Sequence, residues 1–118
     1  MADRQFGSTE TERLGESLWL LKLVGEHDLA SRGEVDEALA RIASTGTTVV
    51  IDLLEATFID STLIGRIAGA DERGENILLV VPKSGMVRRL LDMVGLRMPM
   101  FETREEALRA VPDEDQPH

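Results

Sequence analysis

No cysteine occurs among the 118 residues. Disulfides, zinc–thiolate sites and cysteine nucleophiles are therefore excluded at once. The absence fits a reducing compartment, and a cytoplasmic location is expected. Histidine is almost as scarce, with only His27 and His118. A Ser61–His27–Asp28 arrangement could be drawn, but adjacent residues rarely orient one another as a general base requires, so no catalysis is expected. No Gly-x-Gly-x-x-Gly or P-loop run is present, and no cofactor is expected. Long apolar runs are missing too. Stretches such as Ile77 to Val81 fall far short of the roughly 20 residues of a membrane-spanning helix, so no membrane insertion is expected. Met1 to Thr11 is polar and lacks the apolar centre of a signal peptide. Basic residues are few: 13 Lys and Arg against 22 Asp and Glu, a net charge of −9. They are scattered apart from a small group at Lys83, Arg88 and Arg89, whereas a duplex-binding surface needs them clustered. Direct binding to nucleic acid is not expected, and the acidity reads first as solubility.

What is there suits one globular domain. Apolar residues make up 42% and charged residues 30%, and a chain near this length buries roughly two-thirds of its unfolded surface. Leu18 to Val24 reads as a strand, with Arg4 to Arg13 as a hairpin partner turning near Gly15 and Glu16. Ser31 to Ser44 carries Val35, Ala38, Leu39 and Ile42 at helical spacing. Thr47 to Leu53 is β-branched and apolar, as in a central strand buried on both faces. Ser61 to Arg73 reads as a helix with Leu63, Ile64, Ile67, Ala68 and Ala70 inward. Asn76 to Val81 is a strand stopped by Pro82. Ser84 is placed to cap a helix with Met86, Val87, Leu90, Leu91 and Val94 as its apolar face, closed by Gly95. A short strand near Met98 to Phe101 and a helix from Arg104 to Ala110, capped by Thr103, complete the series. Met93, Met98 and Met100 read as core filling. Pro112 to His118, with Asp113, Glu114 and Asp115, reads as a solvated, flexible tail rather than a metal site. Strands alternating with helices predict an α/β domain with parallel strand pairs and crossover helices.

The informative stretch is Val49 to Gly65. A buried strand leads through a short polar stretch to Phe58 and Ile59, then to Asp60-Ser61-Thr62, where a helix begins. This puts hydroxyls at a helix amino terminus, beside free N–H groups and the positive end of the dipole. A phosphate on such a hydroxyl is readily accommodated. From spacing alone, Asp60 or Ser61 reads as a simple cap, worth about 1 kcal/mol. Asp52, at the end of a buried strand, lacks the acidic pair that a receiver-domain phospho-acceptor would have nearby.

Phe58-Ile59-Asp60-Ser61-Thr62 with Ile64 and Gly65 resembles the Asp-Ser-Ser/Thr-Gly-Leu-Gly signature of STAS domains in bacterial anti-sigma-factor antagonists. Gly25-Glu26-His27-Asp28 resembles that family's Gly-Glu-Leu-Asp loop. Val87 to Leu91 with Val94-Gly95-Leu96, and Phe101 with Glu105 to Leu108, resemble its later elements in the right order. The resemblance runs from about Leu18 to Val111. It implies a single STAS domain over 1–111, a mixed sheet flanked by about four helices, with 1–17 as edge strand and turn and 112–118 as the tail. It implies binding to an anti-sigma factor that is also a serine kinase, which releases a sigma factor in a stress response. Phosphorylation of Ser61, with Thr62 as second candidate, would end that binding, and a phosphatase would restore it. Glu26, Asp28, Asp60, Thr62 and Leu63 are the implied partner-binding residues, on a monomer or weak dimer. One residue departs from the signature: Leu63 stands at the family's glycine, and either packs inward or presents apolar surface to a partner. A non-phosphorylated scaffold, or an accessory subunit of a stress-sensing, membrane transport or lipid system, is the alternative.

Overall fold

The structure is a computed structural model that describes residues 8–27, 32–42, 47–72 and 76–112. Strand β1 (Ser8–Gly15) turns back into β2 (Leu18–His27). Helix α1 (Arg32–Ile42), strand β3 (Thr48–Ile59), helix α2 (Ser61–Glu72) and strand β4 (Asn76–Val80) follow. Helix α3 (Met86–Val94), strand β5 (Met100–Phe101) and helix α4 (Arg104–Arg109) complete the chain. The five strands form one sheet in the order β1-β2-β3-β4-β5. The β1–β2 pair is antiparallel and the other three pairs are parallel. The alternating pattern predicts the parallel pairs and crossover helices, and the resemblance implies the mixed sheet with about four helices; both are observed.

The strand period of two divides the core. Leu21, Leu23, Val49, Ile51, Leu53, Ile77 and Leu79 face one side and pack with α1, α2 and α3. Leu18, Leu20, Val50, Leu78 and Val80 face the other and pack with Ala107 and Val111 around α4. β3 is covered on both faces, which is why Val49 to Leu53 reads as an unbroken apolar run apart from Asp52.

Asp52 is buried on the α4 side, and its Oδ2 lies 2.6 Å from Arg104 Nε. Its Oδ1 accepts a hydrogen bond from the Leu54 amide at 2.9 Å. A carboxylate in the sheet thereby ties down the first turn of the one helix on that face. Nearby, Lys22 Nζ meets Glu55 Oε2 at 2.8 Å, linking β2 to β3. That hydrogen bond, with the attraction of Glu55 and Glu10, keeps the ammonium charged to higher pH than the ordinary 10.5.

Four local expectations need correction. β2 and β3 run on to His27 and Ile59 instead of stopping at Val24 and Leu53, because each pairs with the other beyond the end of β4. The extension absorbs register shifts between Lys22 and Val24 and between Gly25 and Glu26, the second with Gly25 at φ 83°, where a side chain would be strained. Ser84 does not cap α3: Gly85 occupies that position at φ 107° with no side-chain cap. The apolar face of α3 is only partly inside. Val87 and Leu91 are buried, Leu90 is half-buried, and Met86, Met93 and Val94 are exposed. Of the three methionines read as core, Met98 is buried and Met100 packs against the core, but Met93 is 81% exposed. Thr103 does cap α4, accepting from the Glu106 amide at 3.1 Å, and Gly95 closes α3 in the left-handed conformation. The tail beyond Pro112 lies outside the described residues.

Candidate functional site

The site is built where β3 hands over to α2. Ile59 is fully buried and anchors the end of the strand. The next residue is the cap. Asp60 Oδ1 accepts from the Leu63 amide at 2.9 Å, and the Asp60 carbonyl accepts from the Ile64 amide at 3.2 Å. Asp60 therefore fills the N-cap position, and of the two residues the spacing allowed for that role, Ser61 is released from it. Ser61 becomes the first helical residue and is exposed. Its hydroxyl sits at the positive end of a helix of 12 residues.

The cap also fixes the phase of the helix. Leu63 is turned inward, 4% exposed, and joins the core beside Ile59, Ile64 and Ile67. Of the two placements open for the leucine at the signature's glycine position, the inward one is observed. Its side chain has almost no exposed surface in the free domain. Thr62 is half-buried, so Ser61 is the more accessible hydroxyl.

One turn below Ser61, Gly65 is exposed, and a methyl group built on it would meet nothing within 4 Å. Four residues apart, Ser61 and Gly65 share a face of α2. The surface beside the hydroxyl is thus bare backbone. The sequence pattern offers Gly65 only as part of a motif; its four-residue spacing from Ser61 is the signal that the two share a face.

Glu26 and His27 end β2 in register with Phe58 and Ile59. The backbone therefore brings Glu26 to the same edge of the sheet as Asp60 and Ser61. Asp28 lies outside the described residues. Among the described residues, no group of three or more His, Cys, Asp or Glu could hold a metal ion, and no helix is long and apolar enough to cross a membrane.

Solved structures share this architecture. An anti-sigma factor antagonist from Mycobacterium paratuberculosis superposes with a TM-score of 0.79 at 21% identity, covering 94% of this chain and 98% of that one. The anti-sigma factor antagonist SpoIIAA in its unphosphorylated form matches at 0.67 and 24% identity, over 90% of this chain and all of the other. The Bacillus cell fate determinant SpoIIAA in its phosphorylated form matches at 0.58 and 22% identity, over 89% of this chain and all of the other. Identities this low speak to the fold. No curated protein sequence matches significantly. The family model described as the STAS domain matches residues 10–107, most of the chain and every element from within β1 to within α4. With that match and the shared fold, the chain belongs to the STAS domain family.

Proposed function

We propose that this domain is an anti-sigma factor antagonist, switched by phosphorylation of Ser61. In the unmodified form it binds an anti-sigma factor that is also a serine kinase, and the sigma factor is released to transcription. The kinase then transfers the γ-phosphoryl group of its ATP to Ser61 Oγ. The Oγ–P bond forms, the bond to ADP breaks, and the hydroxyl proton passes to a base on the kinase. A phosphatase resets the domain by hydrolysis. The domain is substrate and ligand in this cycle and acts in the cytoplasm.

The observation that carries the reading is the division of labour at the helix start. Asp60 supplies the cap, so the exposed Ser61 hydroxyl has no structural duty there. A phosphate can be added without unmaking the helix, and the first turn's N–H groups accommodate it. The likeness to SpoIIAA in both its unphosphorylated and phosphorylated forms supports a fold that carries either state. The inward Leu63 leaves the surface beside Ser61 clear.

Phosphorylation adds about −1.5 to −2 charge, beside the carboxylate of Asp60. Burying that charge in an interface costs desolvation and repulsion. Reversing occupancy from 99:1 to 1:99 takes roughly 5.5 kcal/mol, a magnitude a buried dianion reaches and an exposed rim charge does not.

Phosphopeptide mapping of the protein from its own cells, in growth and under stress, tests the modification. Phosphate on Ser61 that changes with condition is expected. With a serine-kinase anti-sigma factor from the same genome, Ser61→Ala should bind tightly and stay bound, while Ser61→Asp should bind at least about 100-fold more weakly, roughly half the full switch. Equal binding by both variants and an unmodified Ser61 in every condition would overturn the proposal.

A further inference from the structure

Three of the four large apolar residues exposed among the described residues lie on one short helix: Met86 at 52%, Met93 at 81% and Val94 at 52%. Their spacing makes them a stripe. Met86 and Met93 are seven residues apart, about two turns, and Leu90 and Val94 follow at four-residue steps. Leu90, half-buried, joins this stripe to the buried Val87 and Leu91. The helix therefore carries more apolar width than the core covers.

The surroundings of the stripe are basic. Residues 83–97 contain Lys83, Arg88, Arg89 and Arg97 with Asp92 as the one acid, a net charge of +3 within a chain of −9. Lys83, Arg89 and Arg97 are exposed, and Arg89 borders the stripe. Arg88 is turned to the other flank, where its Nε lies 3.3 Å from Asp92 Oδ1. Just past the carboxyl end of the stripe lies a cleft of about 210 Å³ lined by Ala68, Glu72, Gly95, Leu96, Arg97 and Met98, where Glu72 is the one acid and Arg97 the one base.

We infer that this face of α3 is a docking surface for an acidic amphipathic helical segment of another protein. Apolar side chains on that segment cover Met86, Leu90, Met93 and Val94, one of them entering the cleft by Leu96, and its carboxylates meet Lys83, Arg89 and Arg97. Charge complementarity selects this occupant. A two-fold contact between copies of this chain would bring two such net-basic faces together. Nucleic acid would leave the methionines at the centre of the patch without apolar contacts. A lipid surface is flat where this face ends in a concavity. The inference stands apart from the Ser61 reading, since none of its residues belongs to the start of α2.

The test uses the full chain, labelled with ¹⁵N, and a synthetic amphipathic Leu/Glu helix of roughly four turns, about 14 residues. The same helix with Lys for Glu, and equimolar phosphatidylglycerol–phosphatidylcholine vesicles, serve as comparisons. The acidic helix is expected to shift the amides of Met86 to Arg97, to weaken as salt rises, and to bind at least tenfold more weakly to Arg89→Glu/Met93→Glu. Both positions are exposed, so that variant should keep the wild-type unfolding midpoint, and Ser61→Asp should keep wild-type affinity for the helix. Equal shifts with the basic helix, binding to the vesicles in preference to the acidic helix, or self-association abolished by the double substitution would each overturn the assignment.

Discussion

Gly65 occupies the second turn of α2, where glycine costs about 0.5–1 kcal/mol relative to alanine. Nothing among the described residues requires it, since an added methyl group meets no atom of theirs within 4 Å. Alanine should accordingly stabilise the isolated domain by about 0.5–1 kcal/mol, read as a rise in the urea midpoint at unchanged slope. The same methyl group stands on the face of Ser61, where a partner would approach. Gly65→Ala should therefore weaken kinase binding about fivefold or more, because overpacking a close contact costs about 1–3 kcal/mol. A variant that gains stability and binds normally would show that the bare face lies outside the contact. Residue spacing alone reads Asp60-Ser61-Thr62 as a helix cap, and the resemblance to the STAS signature is what implies a modification site there. Spacing leaves open which residue caps, and where Leu63 points, because both depend on the helix phase. The bond from the Leu63 amide to Asp60 sets that phase and turns Leu63 into the core.

At the scale of elements, periodicity located the helices and the strands from β2 onward, while β1, whose alternation is poor, runs from Ser8 to Gly15 rather than ending at Arg13, and the limits of the others depended on partners distant in sequence. Leu54 and Glu55 are exposed and interrupt the apolar run of β3, so a strand ending at Leu53 is the natural reading. The strand continues because β2 supplies hydrogen-bonding partners as far as His27, and no local pattern reports that pairing. α3 fails in the opposite sense: its local pattern is apolar over a wide arc, and the tertiary contacts cover only part of it. Asp52 reads as an odd acid in an apolar strand until Arg104, 52 positions away, is placed beside it. Arg104→Met removes that partner and leaves a carboxylate that is 3% exposed with only the Leu54 amide to hold it. A loss of about 2–3 kcal/mol is expected in chemical denaturation, below the roughly 3–5 kcal/mol of a fully buried pair because the guanidinium is partly solvated. Asp52→Asn in the same chain keeps an oxygen for the Leu54 amide and removes the stranded charge. The double variant should recover more than half of the loss, and a double variant no better than the single one would mean that α4 is held by packing alone.

Across the whole molecule the two faces of the sheet are unequal. Three helices cover one face, and the six residues of α4, with Val111, cover part of the other. The strands are unequal too. β2 and β3 pair along their full length, β4 meets β3 only from Thr48 to Asp52, and β5 adds two residues at the edge. The ribbon of β2 and β3 beyond Asp52 is what carries Ser61 past the end of β4, with β2 as its one strand neighbour. Stability should follow this geometry, since local opening costs least where few buried contacts must be broken. Native-state hydrogen exchange is expected to find the slowest amides in Val49 to Leu53 and in Leu20, Leu21 and Leu79, near the global unfolding free energy. Amides in Ala56 to Ile59 should open at lower cost, and those of β1 and β5 at the sheet edges lower still. Binding a partner at Ser61 would then slow exchange chiefly in the ribbon, where there is protection left to gain, and little in the centre of the sheet. If Ala56 to Ile59 exchange as slowly as Val49 to Leu53 in the free protein, the ribbon opens only with the whole domain, and the Ser61 surface is held rigid before any partner arrives.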